Sequence, residues 1–162
     1  MKIKVVFVLL SLVSFNTWTN GEVERSKTQE PAISCYESHN ALKISPKPCE
    51  DALQLARDPK ERALILSNLA IIQAKLGQMP GAQISITEAL KLSPRDPSIY
   101  INLGNLRIRQ KLFKEAIDAF DLASQLGARR EASLYLNKSI AQRGLGRYFE
   151  AQESFIQYKL LT

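Results

Sequence analysis

"PSIYINLGNLRIRQKLFKEAIDAFDLASQLGARR", residues 97–130, holds two runs in which apolar residues return at three- and four-residue spacing, with a break between them. That spacing predicts two helices joined by a turn. The same layout stands on either side, in "ALILSNLAIIQAKLGQMPGAQISITEALKLSPRD" (63–96) and "ASLYLNKSIAQRGLGRYFEAQESFIQYKLLT" (132–162). Asn68, Asn102 and Asn137 fall 34 and then 35 residues apart, and one extra residue near Glu131 accounts for the longer step. Ala82, Ala116 and Ala151 keep the same step, as do Ile86, Phe120 and Phe155, and Leu92, Leu126 and Leu161. Leu66, Leu69 and Ala70 form one helical stripe; Ala82, Ile86, Ala89 and Leu90 form the next. Gly77 and Gly146 suit helix C-termini, and Pro80 suits a first helical turn. Pro94 and Pro97 separate the first repeat from the second, with Ser93 or Asp96 as the cap. Each repeat is therefore read as a helix hairpin of about 14 plus 14 residues. One hairpin cannot bury its apolar side alone, whereas a stack can.

With these columns in place the chain resembles the tetratricopeptide-repeat (TPR) family. The middle repeat offers Tyr100, Leu103, Gly104, Phe113, Ala116, Phe120 and Ala123 at the places the family pattern uses. The first offers Leu66, Leu69, Ala70, Ala82, Ile86, Ala89 and Pro94; the third offers Tyr135, Gly146, Tyr148, Ala151 and Phe155. The third departs from the pattern with Lys138 and Ser139 in place of Leu-Gly, and with Tyr158 in place of Ala. The resemblance implies an all-α fold, an α-solenoid of antiparallel helix hairpins wound into a right-handed superhelix. It implies close helix approach at Ala70 and Ala82, Gly104 and Ala116, and Ser139 and Ala151. The layout is also similar to that of small exported bacterial TPR proteins with a two-cysteine leader.

Composition sets wider bounds. The chain has 162 residues, 45% of them hydrophobic and 23% charged, with a formal net charge of +6. Lys2 and Lys4 would leave with a signal peptide, so the exported chain is near +4 (6 minus 2). Acids and bases alternate, unlike the clustered basic surface of a nucleic-acid-binding protein. The opening "MKIKVVFVLLSLVSF" (1–15) has two lysines before an apolar run of about 11 residues, too short for a bilayer and right for a signal peptide. Cleavage is placed after Gly21, with an uncleaved anchor as the alternative. Residues 22–33 are expected to be a disordered linker. Residues 34–60 are expected to be a degenerate hairpin holding both cysteines, Cys35 and Cys49. In an oxidising compartment such a pair is expected to be bonded, free thiols being the alternative; each lies near an expected helix start, an awkward placement for antiparallel helices.

No residue set for chemistry emerges. His39 is the single histidine and is read as a solvated leader residue, so neither a zinc set nor a Ser-His-Asp arrangement is in view. "GLG" (144–146) reads as a helix end, not as a phosphate loop. Glu115 with Asp118, and Glu150 with Glu153, read as acids on helix faces. No catalytic residue, metal or cofactor is expected.

The expected function is a non-catalytic scaffold of the bacterial envelope, periplasmic or secreted, that binds a protein or an extended peptide. It is expected to bind no nucleic acid and, after signal cleavage, no membrane. The resemblance implies that the first helix of each hairpin lines a concave face. That face takes Leu64, Ser67, Asn68, Ile71 and Lys75 from the first repeat, and Ser98, Ile101, Asn102, Asn105, Ile108 and Arg109 from the second. It takes Ser133, Leu136, Asn137, Ile140 and Arg143 from the third. The expected groove residues are Asn68, Ile71, Lys75, Ile101, Asn102, Asn105, Ile108, Arg109, Leu136, Asn137, Ile140 and Arg143. An asparagine carries two donors and an acceptor, enough to grip a peptide backbone without reading its sequence. Bonding to the backbone of the neighbouring hairpin is the competing role. Lys75, Arg109 and Arg143 would form a basic rim favouring an acidic segment. A carboxylate clamp known in the family is not expected, because Ser67 and Ser133 stand where its lysines would, Ile71 where its Asn would and Asn137 where its Arg would. The alternative function is structural, a homodimer through the terminal repeat, where Phe155, Ile156, Tyr158, Leu160 and Leu161 include apolar residues with no following helix.

Overall fold

The computed structural model describes residues 29–38 and 44–162. The expected signal peptide, residues 22–28 of the expected linker, and His39 lie outside the described residues. The described residues form eight α-helices: α1 (Gln29–Ser38), α2 (Lys47–Leu55), α3 (Pro59–Lys75), α4 (Met79–Leu92), α5 (Pro97–Arg109), α6 (Phe113–Ala123), α7 (Ala132–Gly144) and α8 (Tyr148–Leu161). The described residues contain no strand. The helices pair as α1–α2, α3–α4, α5–α6 and α7–α8 and stack as a right-handed solenoid.

Local chemistry places the ends. Asp58 caps α3 by accepting the Glu61 amide at 2.8 Å, with Pro59 in the first turn. The first repeat's leading helix therefore starts at Pro59, four residues before the expected Ala63; the Asp58-Pro59-Lys60-Glu61 signature carries that start in the sequence. Asp96, rather than Ser93, caps α5, accepting the Ser98 amide at 3.0 Å. The turn after α6, Ser124–Ala128, is wide and is turned by Gly127 at φ 118°. Eight residues (124–131) separate α6 from α7, against four (93–96) between α4 and α5, and the repeat step lengthens by one residue here.

Three hairpin turns share one form, with a left-handed residue at Gly77 (φ 79°), Lys111 (φ 61°) and Gly146 (φ 74°). Only Lys111 carries a Cβ there, and the left-handed conformation costs an L-residue about 1–2 kcal/mol. Lys111→Gly is expected to raise the unfolding free energy by about 1 kcal/mol, set against the backbone freedom glycine adds to the unfolded chain. Urea unfolding of the two proteins checks this; an unchanged midpoint would mean the turn relaxes.

The core falls into three clusters, each built from a hairpin and the leading helix of the next. Cys35, Cys49, Ala52, Ile65, Leu69 and Ile72 join α1, α2 and α3. Ala63, Leu66, Ala70, Ala82, Ile86, Ala89, Ile99 and Leu106 join α3, α4 and α5. Ala116, Ile117, Phe120, Ala123, Leu134 and Ala141 join α5–α6 to α7, with Tyr100, Ile101 and Ile108 packed against them. The α3 stripe thus divides: Leu66 and Ala70 face forward, and Leu69 faces the leader. The expected close approaches are buried, with Ala70, Ala82 and Ala116 at 0% exposure. The tightest is Gly104, where an added Cβ would lie 2.5 Å from the Phe120 ring.

The leader corrects two expectations. Residues 29–33 belong to α1 rather than to a linker, because α1 docks on α3 and α2. Cys35 consequently lies in the second half of α1, facing Cys49 in the first turn of α2. The two are bonded, with Cα atoms 4.4 Å apart, a geometry an antiparallel hairpin offers readily. Ser38 completes the helix end by donating its hydroxyl to the Cys35 carbonyl at 2.8 Å.

Candidate peptide-binding groove

The leading helices α3, α5 and α7 lie side by side, joined by the asparagines. Asn102 donates its amide to the Ser67 hydroxyl at 2.8 Å and to the Asn68 carbonyl oxygen at 3.4 Å. Asn137 donates to the Asn105 carbonyl oxygen at 2.8 Å. The partners are side chains on the neighbouring leading helix, not its backbone. They answer the competing role in part: the amides do tie hairpin to hairpin. Yet the bonds engage only one side of each group. Among the described residues, the Asn102 and Asn137 carbonyl oxygens and the Asn68 and Asn105 amides have no hydrogen-bond partner, and none of these atoms is buried.

These atoms line a groove with two continuous parts that share Ile71 and Asn105. The first, about 450 Å³, takes Asn68, Ile101 and Asn102 from the expected set, together with Leu64, Ser67, Ser98 and Ser133. Tyr36 of α1 and Glu131 also line it, and neither was expected. The second part, about 460 Å³, holds Lys75, Ile108, Arg109, Asn137 and Ile140. Arg109 and Ile140 are exposed there, and the isoleucines form its apolar floor. The two parts differ in charge. The first contains one acid and no base; the second contains two bases and no acid.

Two expected residues are elsewhere. Arg143 lines a separate notch with Ser139, Tyr148 and Phe155, between α7 and α8. The reason is register. Lys75 and Arg109 are 34 residues apart, and the next step of 35 falls on Gly144, so Arg143 is turned by one residue, about 100° around the helix. Gly144 itself lies under the Phe113 ring, which would be 2.7 Å from an added Cβ. Leu136 is half-buried and lines neither part of the groove.

Side-chain bonds also tie helices together, one within a hairpin and two between hairpins. Gln73 accepts from Ser85 at 2.8 Å across α3–α4, and Arg107 donates to Gln83 at 2.7 Å across α5–α4. Lys138 pairs with Asp121 across α7–α6 at 2.5 Å. Among the described residues, no group of three or more His, Cys, Asp or Glu side chains is placed to hold a metal. No helix among them is long and apolar enough to cross a membrane.

No family model matches the chain. Among curated proteins it is similar to the Lipoprotein NlpI homolog of Haemophilus influenzae, 29% identical over 99 residues, a match covering 61% of this chain. The chain spans 31% of that protein's length. Two solved structures of MamA share its fold. MamA AMB-1 (C2221) superposes with a TM-score of 0.56 at 19% identity, covering 83% of this chain and 78% of that one. MamA MSR-1 (C2) gives 0.54 at 19% identity, covering 72% and 64%. Within that shared fold the small-residue columns are buried, at Ala70, Ala82, Ala116, Ser139 and Ala151, and Gly104 lies under the Phe120 ring. The chain folds as a TPR-type α-solenoid.

Proposed function

We propose that this TPR chain is a scaffold of the bacterial envelope that holds an extended, acidic protein segment in the groove of α3, α5 and α7. The single observation that carries this is the pairing, in one trough, of unbonded asparagine amides and carbonyls with an isoleucine floor beside Arg109. An extended segment presents backbone donors and acceptors that match the amides. Its alternate side chains reach the floor, and acids reach the basic end. The Cys35–Cys49 bond fits an oxidising compartment. The export-type opening of the sequence supports the same placement, as does likeness to a protein named as a lipoprotein. The periplasm is the location these features favour.

A terminally blocked nonapeptide of alternating Leu and Glu serves as the probe in isothermal titration. It is expected to bind the wild type at least about tenfold more tightly than the Leu–Lys counterpart, with affinity falling as salt rises. Arg109→Glu combined with Ile140→Asp, both at exposed positions, should abolish that preference while leaving the melting curve unchanged. Equal binding of both peptides by the wild type would remove the acidic segment from the reading, and equal binding by wild type and variant would remove the groove.

A second reading is self-association through α8. Phe155 is 38% exposed where its counterparts Phe120 and Ile86 are fully covered, and Phe149 is 91% exposed. Apolar area of this kind is covered by a second copy in many repeat arrays. Solution scattering across a concentration series is expected to show a mass rising toward the dimer; a constant monomer mass would exclude this reading.

A further inference from the structure

The groove is not built by the repeats alone. Tyr36 belongs to the leader helix α1, yet it lines the first part of the groove beside Leu64, Ser67 and Asn68. Its neighbour in the chain, Cys35, is fully buried, bonded to Cys49 and packed on Ile65, Leu69 and Ile72 of α3. Cys35 and Tyr36 therefore point to opposite duties on one short helix. The sulfur anchors α1 to α2 and α3, while the ring stays 61% exposed at the mouth of the trough. A helix of 10 residues is marginal by itself, so the position of that ring depends on the anchor.

From this we infer that Tyr36 is a peptide-contacting residue of the groove, and that the Cys35–Cys49 bond is the positioning element that sets it there. The inference rests on the groove reading given above. Its chemistry is that of a rigid aromatic wall: two side-chain torsions, a broad apolar face for a large side chain of the bound segment, and a hydroxyl at the rim. Ile101 and Ser98 line the same part, so a large apolar residue of the segment sits at the Tyr36 end and its acids at the Arg109 end. A consequence concerns place. Bond formation joins the two sulfurs and passes two electrons and two protons to an oxidant of the thiol–disulfide class. The groove is thus completed where such an oxidant is present.

The test uses the oxidised full chain and the Leu–Glu nonapeptide. Tyr36→Ala is expected to weaken binding about tenfold, and Tyr36→Phe to stay within about twofold of wild type. Cys35→Ala combined with Cys49→Ala should weaken binding by the same factor as Tyr36→Ala. Adding Tyr36→Ala to that pair should then change nothing further, because the ring has already left. Hydrogen exchange supplies a readout independent of the peptide: α1 amides should lose protection in the cysteine variant while α3–α8 keep theirs. Wild-type affinity in Tyr36→Ala would overturn the inference while leaving the groove reading intact. So would a cysteine variant that retains both α1 protection and affinity. A nonapeptide that fails to bind wild type would remove the groove reading, and the inference with it.

Discussion

Phe120→Ala is expected to lower the unfolding free energy by about 3–5 kcal/mol, the usual range for truncating a buried aromatic. Phe120 heads the large side chains that are fully buried, and it closes the cluster of Ala116, Ala123 and Leu134 that fastens α7 to the middle hairpin. Its ring lies where a Cβ of Gly104 would be, so the α5–α6 crossing leaves no side-chain room beneath it. Gly104→Ala pushes a methyl to 2.5 Å from that ring, and overpacking of this kind costs about 1–3 kcal/mol. The two changes share one space, so the double variant should cost clearly less than the sum of the singles, the new methyl filling part of the void. Urea unfolding followed by circular dichroism supplies all four values. Stacked repeats hold one another through their interfaces, so Phe120→Ala should also split the single transition, with the third hairpin melting first. Strict additivity would mean that ring and glycine are not in contact.

Removing the disulfide is the second large effect. Cys35 and Cys49 are separated by 14 residues, and cross-linking a loop of about 15 stabilises by roughly 3 kcal/mol in the chain-entropy picture. Cys35→Ala with Cys49→Ala should lose about that amount, measured as the shift between oxidised wild type and variant in thermal melting. The loss should be local. The two leader helices are 10 and 9 residues long, whereas α2 is also tied to α3 by the Arg62 guanidinium, which donates to the Leu53 carbonyl at 2.8 Å. Proteolysis is therefore expected to reach α1 first, with α2 more resistant and the repeats from α3 onward unaffected. Equal melting of the two proteins would show that burial on Ile65, Leu69 and Ile72 holds the leader without the bond.

Much of this was legible in the amino-acid order. Periodicity marked the three hairpins, and the 34-residue columns placed Ala82, Ala116 and Phe120 at the contacts they make. The Asp58-Pro59 cap carried the start of α3 as well, although an apolar pattern alone begins later, at Ala63. Less was legible in the groove. A run of 3.6-residue turns says which side chains share a face of their own helix. It does not say what that face meets. Spacing puts Asn102 and Asn137 at equivalent places of their helices, but their partners Ser67 and Asn105 depend on how closely the leading helices pack. Arg143 looked equivalent to Lys75 and Arg109 until a one-residue step in register turned it into another notch. Tyr36 carried no repeat signal at all, since its helix stands outside the repeats.

The sequence by itself determined the paired helices, their length and their need to stack, because apolar spacing and turn residues act within a few positions of one another. Only the tertiary structure decided which amides bond a neighbouring leading helix, where the two bases of the groove gather and which leader residue lines it. Those are distances between helices, and they are settled by the summed packing of whole interfaces.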